Sequence, residues 1–354
     1  MSREAQLSGT TPVRVEHRFD ESRLAQWMEA NVAGFTGPLT VRQFKGGQSN
    51  PTYHLHTPNA SYVLRRKPPG LLLKGAHAVE REVQVLTALH SVEFPVARVY
   101  GLCMDDAVVG TWFFVMEHVE GRIFWDLTLP EVSREQRPDY FAAMNATLAR
   151  LHCIDYRSIG LADYGRPGNY FERQIARWSK QYLGDGEAGR DPHMDRLIEW
   201  LPVHLPAGDE TGIVHGDFRI DNMIFHPSEP RVLAVLDWEL STLGHPLADF
   251  TYNVMMYRMP PQIAAGLAGA DLAALNIPGE SDYVAAYCRR TGRGDIPQLA
   301  FYLAFNFFRF AAIAHGIKGR LARGTASSAN AARMAEAVPV LAELAWRQAQ
   351  AVSA

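Results

Sequence analysis

The sequence predicts an α+β fold of two lobes: a small N-terminal lobe with five antiparallel strands and one helix, and a larger, mainly helical C-terminal lobe. Three observations predict it. Short β-branched or aromatic runs dominate up to residue 117, helical spacing dominates after residue 121, and strand-like runs return at residues 213–237. A chain of 354 residues is long enough to form two lobes with substantial cores.

The N-terminal lobe is predicted over residues 21–117, after a flexible N-terminal arm over residues 1–20. Leu24, Trp27 and Met28 share one side of a predicted helix at residues 21–32, and residues 76–90 carry a second helical stripe inserted between strands. Turn residues separate the strand-like runs. The predicted strands are residues 39–44, 52–57, 61–66, 98–104 and 111–117.

The C-terminal lobe is predicted over residues 118–354. Residues 301–313 are strongly apolar and aromatic, but the run is too short to span a membrane, and Asn306 and Arg309 interrupt it. A buried helix is therefore expected there. The Ala-rich end, residues 327–354, is expected to form a helix and a tail.

Composition indicates a globular protein of the cytoplasm. The formal net charge of -3, without a basic run, argues against a nucleic acid or an anionic membrane surface as partner. Three scattered cysteines suit a reducing compartment and form no metal-ligand or redox motif. The N-terminal residues MSREAQLSGTTPV lack the apolar core of a signal peptide or anchor.

The stretch VHGDFRIDNMIFHPSEPRVLAVLD, residues 214–237, carries the clearest chemical signal. Asp217 and Asn222 fit the pattern H-x-D-x-x-x-x-N, and Asp237 ends an apolar strand, which is the spacing of a kinase catalytic centre. Asp217 is expected to orient a hydroxyl and take its proton. The Asn222 amide oxygen and the Asp237 carboxylate are the hard ligands that Mg²⁺ requires. A chance match is possible in a chain of this length, but the flanking strands and the HPSEP turn favour function.

Three further residues are assigned to this stretch or near it. Arg219 is expected to stabilise charge on the transferring group, with a surface arginine as the alternative. Asp249, in GHPLADF, is expected to be a buried anchor that holds the backbone of the catalytic loop together with His215.

The N-terminal lobe offers candidate nucleotide contacts. The loop KGGQSNPTY can bring backbone N–H groups close to phosphate oxygens, although two glycines between strands can also form only a turn. Its candidate residues are Gly46, Gly47, Ser49 and Asn50.

The strand YVLRRK places cations on alternate faces, so Arg65, Arg66 or Lys67 should face the phosphates. Arg65 paired with Glu82 of the following helix is the preferred choice, with a solvated edge strand as the alternative. Glu117 and the neighbouring backbone are expected to meet an adenine in a cleft near the boundary of the lobes.

These motifs together resemble the aminoglycoside phosphotransferase and choline kinase-like family. HGDFRIDN matches its catalytic loop, LDWE its metal-binding segment, HPLADF its anchor and GGQSNPTY its phosphate loop. The resemblance runs from about Leu39 to Tyr257 and implies a two-lobed protein-kinase-like fold with ATP and Mg²⁺ as cofactors. YVLRRKPPG, EREVQVLTAL and NYFERQIARW resemble the kinase-like domain that is fused to some acyl-CoA dehydrogenases.

The chain also departs from the kinase pattern. It lacks a full G-x-G-x-x-G, Arg65 stands where a lysine is expected, and Trp-Glu follows Asp237 instead of Phe-Gly. The short link from Asp237 to Asp249 leaves little room for an activation segment, so protein substrates are not expected.

The expected acceptor is the hydroxyl of a small molecule. From residue 251 onward ten bases face six acids, the wrong sign for a polycation. Arg309 and Asn306 share a face of the aromatic helix, and Arg309 needs either an internal carboxylate or an anionic substrate group. Trp178 is a candidate for the same pocket, with core packing as its alternative. A hydroxy acid or hydroxyacyl-CoA is the candidate acceptor; the alternatives are an aminoglycoside O-phosphotransferase and a nucleotide-binding pseudokinase scaffold.

Overall fold

The computed structural model describes residues 8–45, 50–70, 77–325 and 331–352. Contacts within the chain divide it into two compact units. The first unit comprises Met1–Trp125, Tyr156–Tyr164 and Asp221–Ser241, and the second comprises Asp126–Asp155, Gly165–Ile220 and Thr242–Ala354. The predicted boundary at residue 117 lies close to the first break, but residues 221–241 group with the first unit.

The first unit contains an antiparallel sheet whose described strands run in the order β1-β2-β3-β4-β6-β5. Five of these strands match the predicted runs to within two residues at either end, because alternating apolar side chains flanked by turns were a reliable signal there. The strands are β1 (Thr10–Thr11), β2 (Thr40–Phe44), β3 (Thr52–His56), β4 (Ser61–Arg66), β5 (Val99–Cys103) and β6 (Phe113–Glu117), and the helices are α1 (Glu21–Asn31), α2 (Val79–His90) and α3 (Asp106–Val109).

The sixth strand corrects the predicted flexible arm. Thr10 and Thr11 pair with Phe44 and Gln43 of β2, and the 3₁₀ turn Val15–His17 follows. The Gln43 side chain accepts the Arg14 N–H at 3.1 Å, and Arg66 donates to the His17 carbonyl at 2.9 Å. Polar contacts thus hold residues 10–17 in place. A strand of two residues is too short to be predicted from a sequence pattern.

The two faces of this sheet have different environments because successive side chains point to opposite sides. Tyr53, Leu64 and Val115 form a buried core with Leu24 and Met28 of α1. The alternate set, which includes Val63, Arg65 and Met116, lines a cavity. Arg66 lies on the α1 face, where it donates to the carbonyls of Val109 and His17. Lys67 shares the face of Arg65 but pairs with Glu80 at 2.8 Å, so Arg65 is the cation of YVLRRK that lines the cavity.

A hairpin of β8 (Met223–Phe225) and β9 (Val232–Val235) also belongs to the first unit. The Leu236 N–H donates to the Asn222 carbonyl at 2.8 Å, which closes the base of the hairpin. That bond places Asn222 beside Leu236, the residue before Asp237, although the whole hairpin separates Asn222 from Leu236 in the sequence.

The second unit is mainly helical, with one two-stranded ribbon of β7 (Gly212–Val214) and β10 (Thr242–Gly244). The longest helix is almost completely buried along its aromatic half. The helices are α4 (Arg137–Cys153), α5 (Tyr170–Gly184), α6 (Pro192–Val203), α7 (Pro246–Val254), α8 (Pro261–Ala264), α9 (Leu272–Leu275), α10 (Glu280–Thr291), α11 (Leu299–Ala322), α12 (Ala331–Glu336) and α13 (Val338–Val352).

Helix α11 is long and apolar enough to cross a membrane by length and composition alone, but 78% of its most apolar window is buried inside the protein. The predicted buried helix at residues 301–313 is therefore present, and it extends further in both directions. Its aromatic side chains pack against other helices of the unit, for example Phe305 against Phe171 of α5.

Candidate active site

The sheet face opposite α1 borders a cavity of about 570 Å³ in the first unit. Its walls are mainly apolar and include Phe44, Val63, Met116 and Ile224, and residues 118–121 complete one side. A volume of this size with a few polar groups is typical of a small-molecule site.

The Glu117 side chain does not line this cavity, and the contact of Glu117 and the neighbouring backbone with an adenine stays a prediction. Alternation along β6 turns Phe114 and Met116 toward the cavity and Glu117 away from it. The exposed Glu117 carboxylate instead accepts the Arg98 N–H at 3.3 Å. The residues that follow it, His118 to Gly121, line the wall.

Arg65 stands at the polar end of the cavity among three carboxylates. Its guanidinium lies 3.0 Å from Glu82, 2.6 Å from Asp237 and 3.6 Å from Glu239. The predicted pair with Glu82 is thus present. Burial alone would lower the pKa of Arg65, but the three carboxylates outweigh burial and raise it. Arg65 therefore remains a fixed positive charge facing the cavity.

Glu239 is a member of this cluster that the sequence did not reveal. It lies two residues after Asp237, in the Trp-Glu pair that replaces the Phe-Gly of kinases. Its carboxylate accepts from Asn50 Nδ2 at 3.2 Å, and the same amide nitrogen donates to Glu82 at 3.2 Å. Asn50 is fully buried and hydrogen-bonds to both acids.

The other three residues predicted, together with Asn50, to contact phosphate are Gly46, Gly47 and Ser49. They lie outside the described residues.

Asn222 and Asp237 both line the cavity. Asp237 adopts a left-handed backbone conformation (φ 64°), an unfavourable region for most residues that asparagine and aspartate tolerate best. This turn ends the strand run and presents the carboxylate at the cavity. An amide oxygen and a carboxylate suit Mg²⁺, which is usually held by one or two carboxylates together with phosphate oxygens. Within the described residues there is no group of three His, Cys, Asp or Glu that could hold a metal, so a cage made by protein carboxylates and imidazoles is not found there.

The protonation of Glu82 depends on its burial and on this cluster. Its burial raises the pKa of Glu82 to about 7, with further increases from Asp237 and Glu239, although Arg65 opposes them. Because one arginine faces three carboxylates, an upward direction is physically reasonable. A carboxyl with a raised pKa in the folded protein stabilises the fold below its unfolded pKa, near 4.5, and loses that contribution as the pH rises through 7.

We therefore expect Glu82→Gln to change the pH dependence of stability. In the absence of nucleotide, the difference in unfolding free energy, wild type minus variant, should fall between pH 4.5 and pH 7, by at most about 1.4 kcal/mol per pH unit. Urea unfolding of both proteins from pH 4 to pH 8 measures this difference. A difference that rises with pH would show instead that the Arg65 ion pair dominates and keeps Glu82 ionised.

The second unit holds the loop that contains Asp217. The N–H groups of His215 and Gly216 donate to the two oxygens of Asp249 at 2.7 and 2.9 Å. Gly216 has a φ of 85°, a conformation in which glycine avoids strain. Burial would raise the pKa of Asp249, but contacts with His152 and His215 outweigh it and lower the pKa. Asp249 thus lies where an anchor of the loop backbone is required, and the His215 ring accepts the Asp217 N–H at 3.2 Å.

One face of α7 supplies three side chains to the same loop. The helix starts at Pro246, and the preceding His245 ring accepts the Leu247 N–H at 3.2 Å. Asp249, Tyr252 and Asn253 follow at positions i, i+3 and i+4, which share a helical face. Tyr252 donates to Asp217 Oδ1 at 2.7 Å, and Asn253 donates to the Phe218 carbonyl at 3.2 Å. The segment HPLADFTYN shows this spacing, and of the three residues the sequence predicts a role for Asp249 alone.

Asp217 is held in its ionised form. Burial would raise the pKa of Asp217, but the Arg219 charge and the Tyr252 hydrogen bond, with smaller contributions from His215 and Arg309, together lower it. Arg219 Nε lies 3.1 Å from Asp217 Oδ1, and about a quarter of the Arg219 side chain remains exposed. Asp217 can therefore accept a hydrogen bond at neutral pH, and Arg219 lies beside it.

The α11 residues predicted for a substrate pocket make contacts within the protein. Arg309 is buried and donates to the Gly216 carbonyl at 2.6 Å, so the internal partner found is a backbone carbonyl where a carboxylate was expected, and its contact with an anionic substrate stays a prediction. Asn306 is fully buried and donates to Ala248 and Thr251. Arg309 therefore supports the loop, and Asn306 supports α7. The sequence does not show that the hydrogen-bond partner of the buried Arg309 is a backbone carbonyl. Trp178 donates to Gln174 within α5, and its part in a substrate pocket stays a prediction.

Comparison with known proteins adds an independent observation. Residues 40–302 match the family model described as "Phosphotransferase enzyme family". The chain belongs to this family. It is a phosphotransferase with a hydroxyl acceptor, as the catalytic motif predicted.

This phosphotransferase is similar to longer proteins. It is 45% identical over 345 residues to acyl-CoA dehydrogenase family member 11 of Gallus gallus, covering 95% of this chain and 44% of that protein. The chain therefore spans less than half the length of that relative.

Solved structures support the kinase-like fold. A crystal structure from Ralstonia eutropha JMP134, provisionally named an aminoglycoside phosphotransferase, is 50% identical with a TM-score of 0.87, covering 94% of this chain and 99% of that one. A thermostable mutant of aminoglycoside phosphotransferase APH(4)-Ia, in a ternary complex with ADP and hygromycin B, is 14% identical with a TM-score of 0.60, covering 91% and 97%. The second likeness establishes the fold alone.

Proposed function

We propose that this phosphotransferase transfers the γ-phosphoryl group of ATP, bound with Mg²⁺, to a hydroxyl of a small acidic metabolite, either a hydroxy acid or a hydroxyacyl-CoA. The observation that carries the kinase chemistry is the ionised Asp217, whose loop is bound by Asp249, Arg309 and Asn253. Such support is what an oriented acid or base requires.

Asp217 accepts the hydrogen bond of the acceptor hydroxyl and aims its oxygen at the γ-phosphorus. As the new oxygen–phosphorus bond forms, the bond between the γ-phosphorus and the leaving oxygen of ADP breaks, and the acceptor proton passes to Asp217. Because its pKa is lowered, Asp217 is a weak base and takes the proton late. Orientation is therefore its main contribution, as in other phosphoryl transfers.

In the first unit, Asn222 and Asp237 are the residues proposed to hold Mg²⁺. The metal neutralises charge on the phosphates when it is bound. Arg65 is proposed to exchange its contact with Asp237 for a phosphate oxygen, while Glu82 and Glu239 keep its guanidinium in place. The mainly apolar cavity of this unit is proposed to receive the adenine.

The acceptor class is supported by the relatives' names more than by charge. Of the ten bases after residue 251, Arg258, Arg293, Arg323 and Arg347 form ion pairs with acids of the same unit. The excess of bases therefore overstates the charge available to an anionic substrate. Acyl-CoA dehydrogenase names among relatives above 40% identity favour an acyl-type acceptor.

The proposed location of the protein is the cytoplasm. The proposed use of ATP and the three free cysteines support this location.

An aminoglycoside acceptor is the second candidate, favoured by the provisional name of the Ralstonia structure. We expect ADP release from Mg-ATP to rise with hydroxyacyl-CoAs or hydroxy acids and to stay at background with aminoglycosides. A panel of all three classes at equal concentration measures this. Selective turnover of kanamycin-type sugars would overturn the proposed acceptor, and binding of Mg-ATP without turnover of any acceptor would favour a scaffold.

A further inference from the structure

Tyr252 contacts the proposed reacting carboxylate, Asp217, directly. Its hydroxyl donates to Asp217 Oδ1 at 2.7 Å, and the residue is almost fully buried. The hydrogen bonds that Asp249 and Asn253, the other α7 residues of this face, make to the loop go to its backbone. Tyr252 is thus the member of the set that acts on the Asp217 side chain itself.

Packing leaves this hydroxyl little freedom. The Arg309 guanidinium lies 5.4 Å from the centre of the Tyr252 ring, within cation–π range, and the same guanidinium donates to the Gly216 carbonyl. Burial and the adjacent Asp217 charge raise the pKa of Tyr252, so the phenol stays protonated over the whole working range. It can therefore donate a hydrogen bond to Asp217 without taking its proton.

We propose that Tyr252 is a positioning residue for phosphoryl transfer: by holding Asp217 at Oδ1, it sets the orientation in which the carboxylate meets the acceptor hydroxyl and the basicity with which it takes the proton. This inference rests on the proposed role of Asp217. A hydrogen bond to the ionised form favours that form, and one to a charged group is among the stronger kinds.

The charged and titratable groups around Asp217 in this unit are Arg219, His215, Arg309 and Tyr252. Arg219 and His215 belong to the loop itself, Arg309 comes from α11 and Tyr252 from α7. Tyr252 is the neutral donor among them, so its hydroxyl can be removed without changing the net charge of the site. Any change in Asp217 protonation then reports the hydrogen bond.

The test is Tyr252→Phe in the full chain. We expect the Asp217 pKa to rise by about one pH unit, read from selectively ¹³Cγ-labelled aspartate, with the Asp217 resonance assigned by its loss in Asp217→Asn. The acidic limb of the kcat/KM profile should move upward by a similar amount. At neutral pH kcat should fall about tenfold while KM for Mg-ATP stays unchanged, because the carboxylate is less well oriented.

A second variant guards against a folding defect. Replacing Tyr252 with 3-fluorotyrosine keeps the ring and its packing but makes the phenol a stronger donor, so the Asp217 pKa should fall. Opposite shifts from the two variants are the expected signature, which general disruption of packing would not produce.

Tyr182→Phe is the matched control. Tyr182 donates to Asp195 at 3.1 Å, and Asp195 is also paired with an arginine, Arg190, which reproduces the Tyr252, Asp217 and Arg219 set at another place in the same unit. This variant should leave the Asp217 resonance and the pH profile unchanged.

The outcomes separate the two proposals. An Asp217 pKa that is unchanged in Tyr252→Phe, or that shifts in the same direction in both variants, overturns the role of Tyr252. Opposite shifts of the resonance without any movement of the kinetic profile uphold the Tyr252 contact as the control on Asp217 basicity. They instead remove Asp217 from the role of base, which defeats the proposed proton transfer to Asp217.

Discussion

Replacing Asp217 with asparagine is expected to lower phosphoryl transfer roughly 10²–10⁴-fold, the usual contribution of a positioned acid or base. Asparagine keeps the size of the side chain and an oxygen that can accept the Tyr252 hydroxyl, so the loop should stay folded around Asp249. It cannot take the acceptor proton. ADP release with the acceptor found in the panel gives the rate, and calorimetric titration with Mg-ATP should show affinity close to that of the wild type.

The matched comparison is Asp195→Asn. Asp195 also accepts from a tyrosine and pairs with an arginine, Tyr182 and Arg190, but it lies on α6 and about two-fifths of its side chain is exposed. Loss of its charge should cost little stability, as is usual for exposed ion pairs, and should leave turnover unchanged. If Asp217→Asn lowers turnover less than tenfold, or no more than Asp195→Asn does, Asp217 is not the base.

The sequence predicted those parts of the protein whose signal is local. Strands β2 to β6 could be predicted because side chains alternate between a core with α1 and a cavity, which gives a period of two. The same alternation placed Arg65 and Arg66 on opposite faces. The catalytic loop could be predicted because Asp217 and Asn222 are separated by a fixed number of residues along one chain segment.

The contacts missed were those between segments distant in sequence. Arg309 lies 93 residues from Gly216, whose carbonyl it binds. The apolar segment 301–313, in which Arg309 is the one arginine, gives no hint that the partner is a backbone group. Glu239 joins the Arg65 cluster although 174 residues separate them, so its role depends on how the hairpin packs. In both cases tertiary packing selects one partner from many that composition allows.

Tyr252 and Asn253 form an intermediate case. Their spacing from Asp249 could have been read as one face of a helix, because positions i, i+3 and i+4 project together. What the spacing does not show is the target of that face. In the structure this face of α7 packs against the loop that contains Asp217. Asp249, predicted as the anchor from HPLADF, therefore belongs to a set of three residues that all bind that loop.

Replacing Asp237 with asparagine should weaken Mg²⁺ binding and remove most of the activity. Metal ions supply several kcal/mol of charge stabilisation to such transition states, so a loss of about 10³-fold is expected when the carboxylate becomes an amide. Asparagine suits the test because it tolerates the left-handed backbone that Asp237 adopts, whereas alanine would add strain. Turnover measured against Mg²⁺ concentration should show a midpoint moved to much higher concentration.

Arg65 makes this variant informative in a second way. In the wild type its guanidinium lies 2.6 Å from Asp237, so Mg²⁺ and Arg65 compete for the same carboxylate. Glu82 and Glu239 still hold Arg65 when Asp237 is neutral, so the fold should lose little stability. Asp163→Asn, at an exposed acid of the same unit, controls for loss of one negative charge. An Mg²⁺ midpoint that is equal in Asp237→Asn and Asp163→Asn would exclude Asp237 as a metal ligand, even if turnover fell.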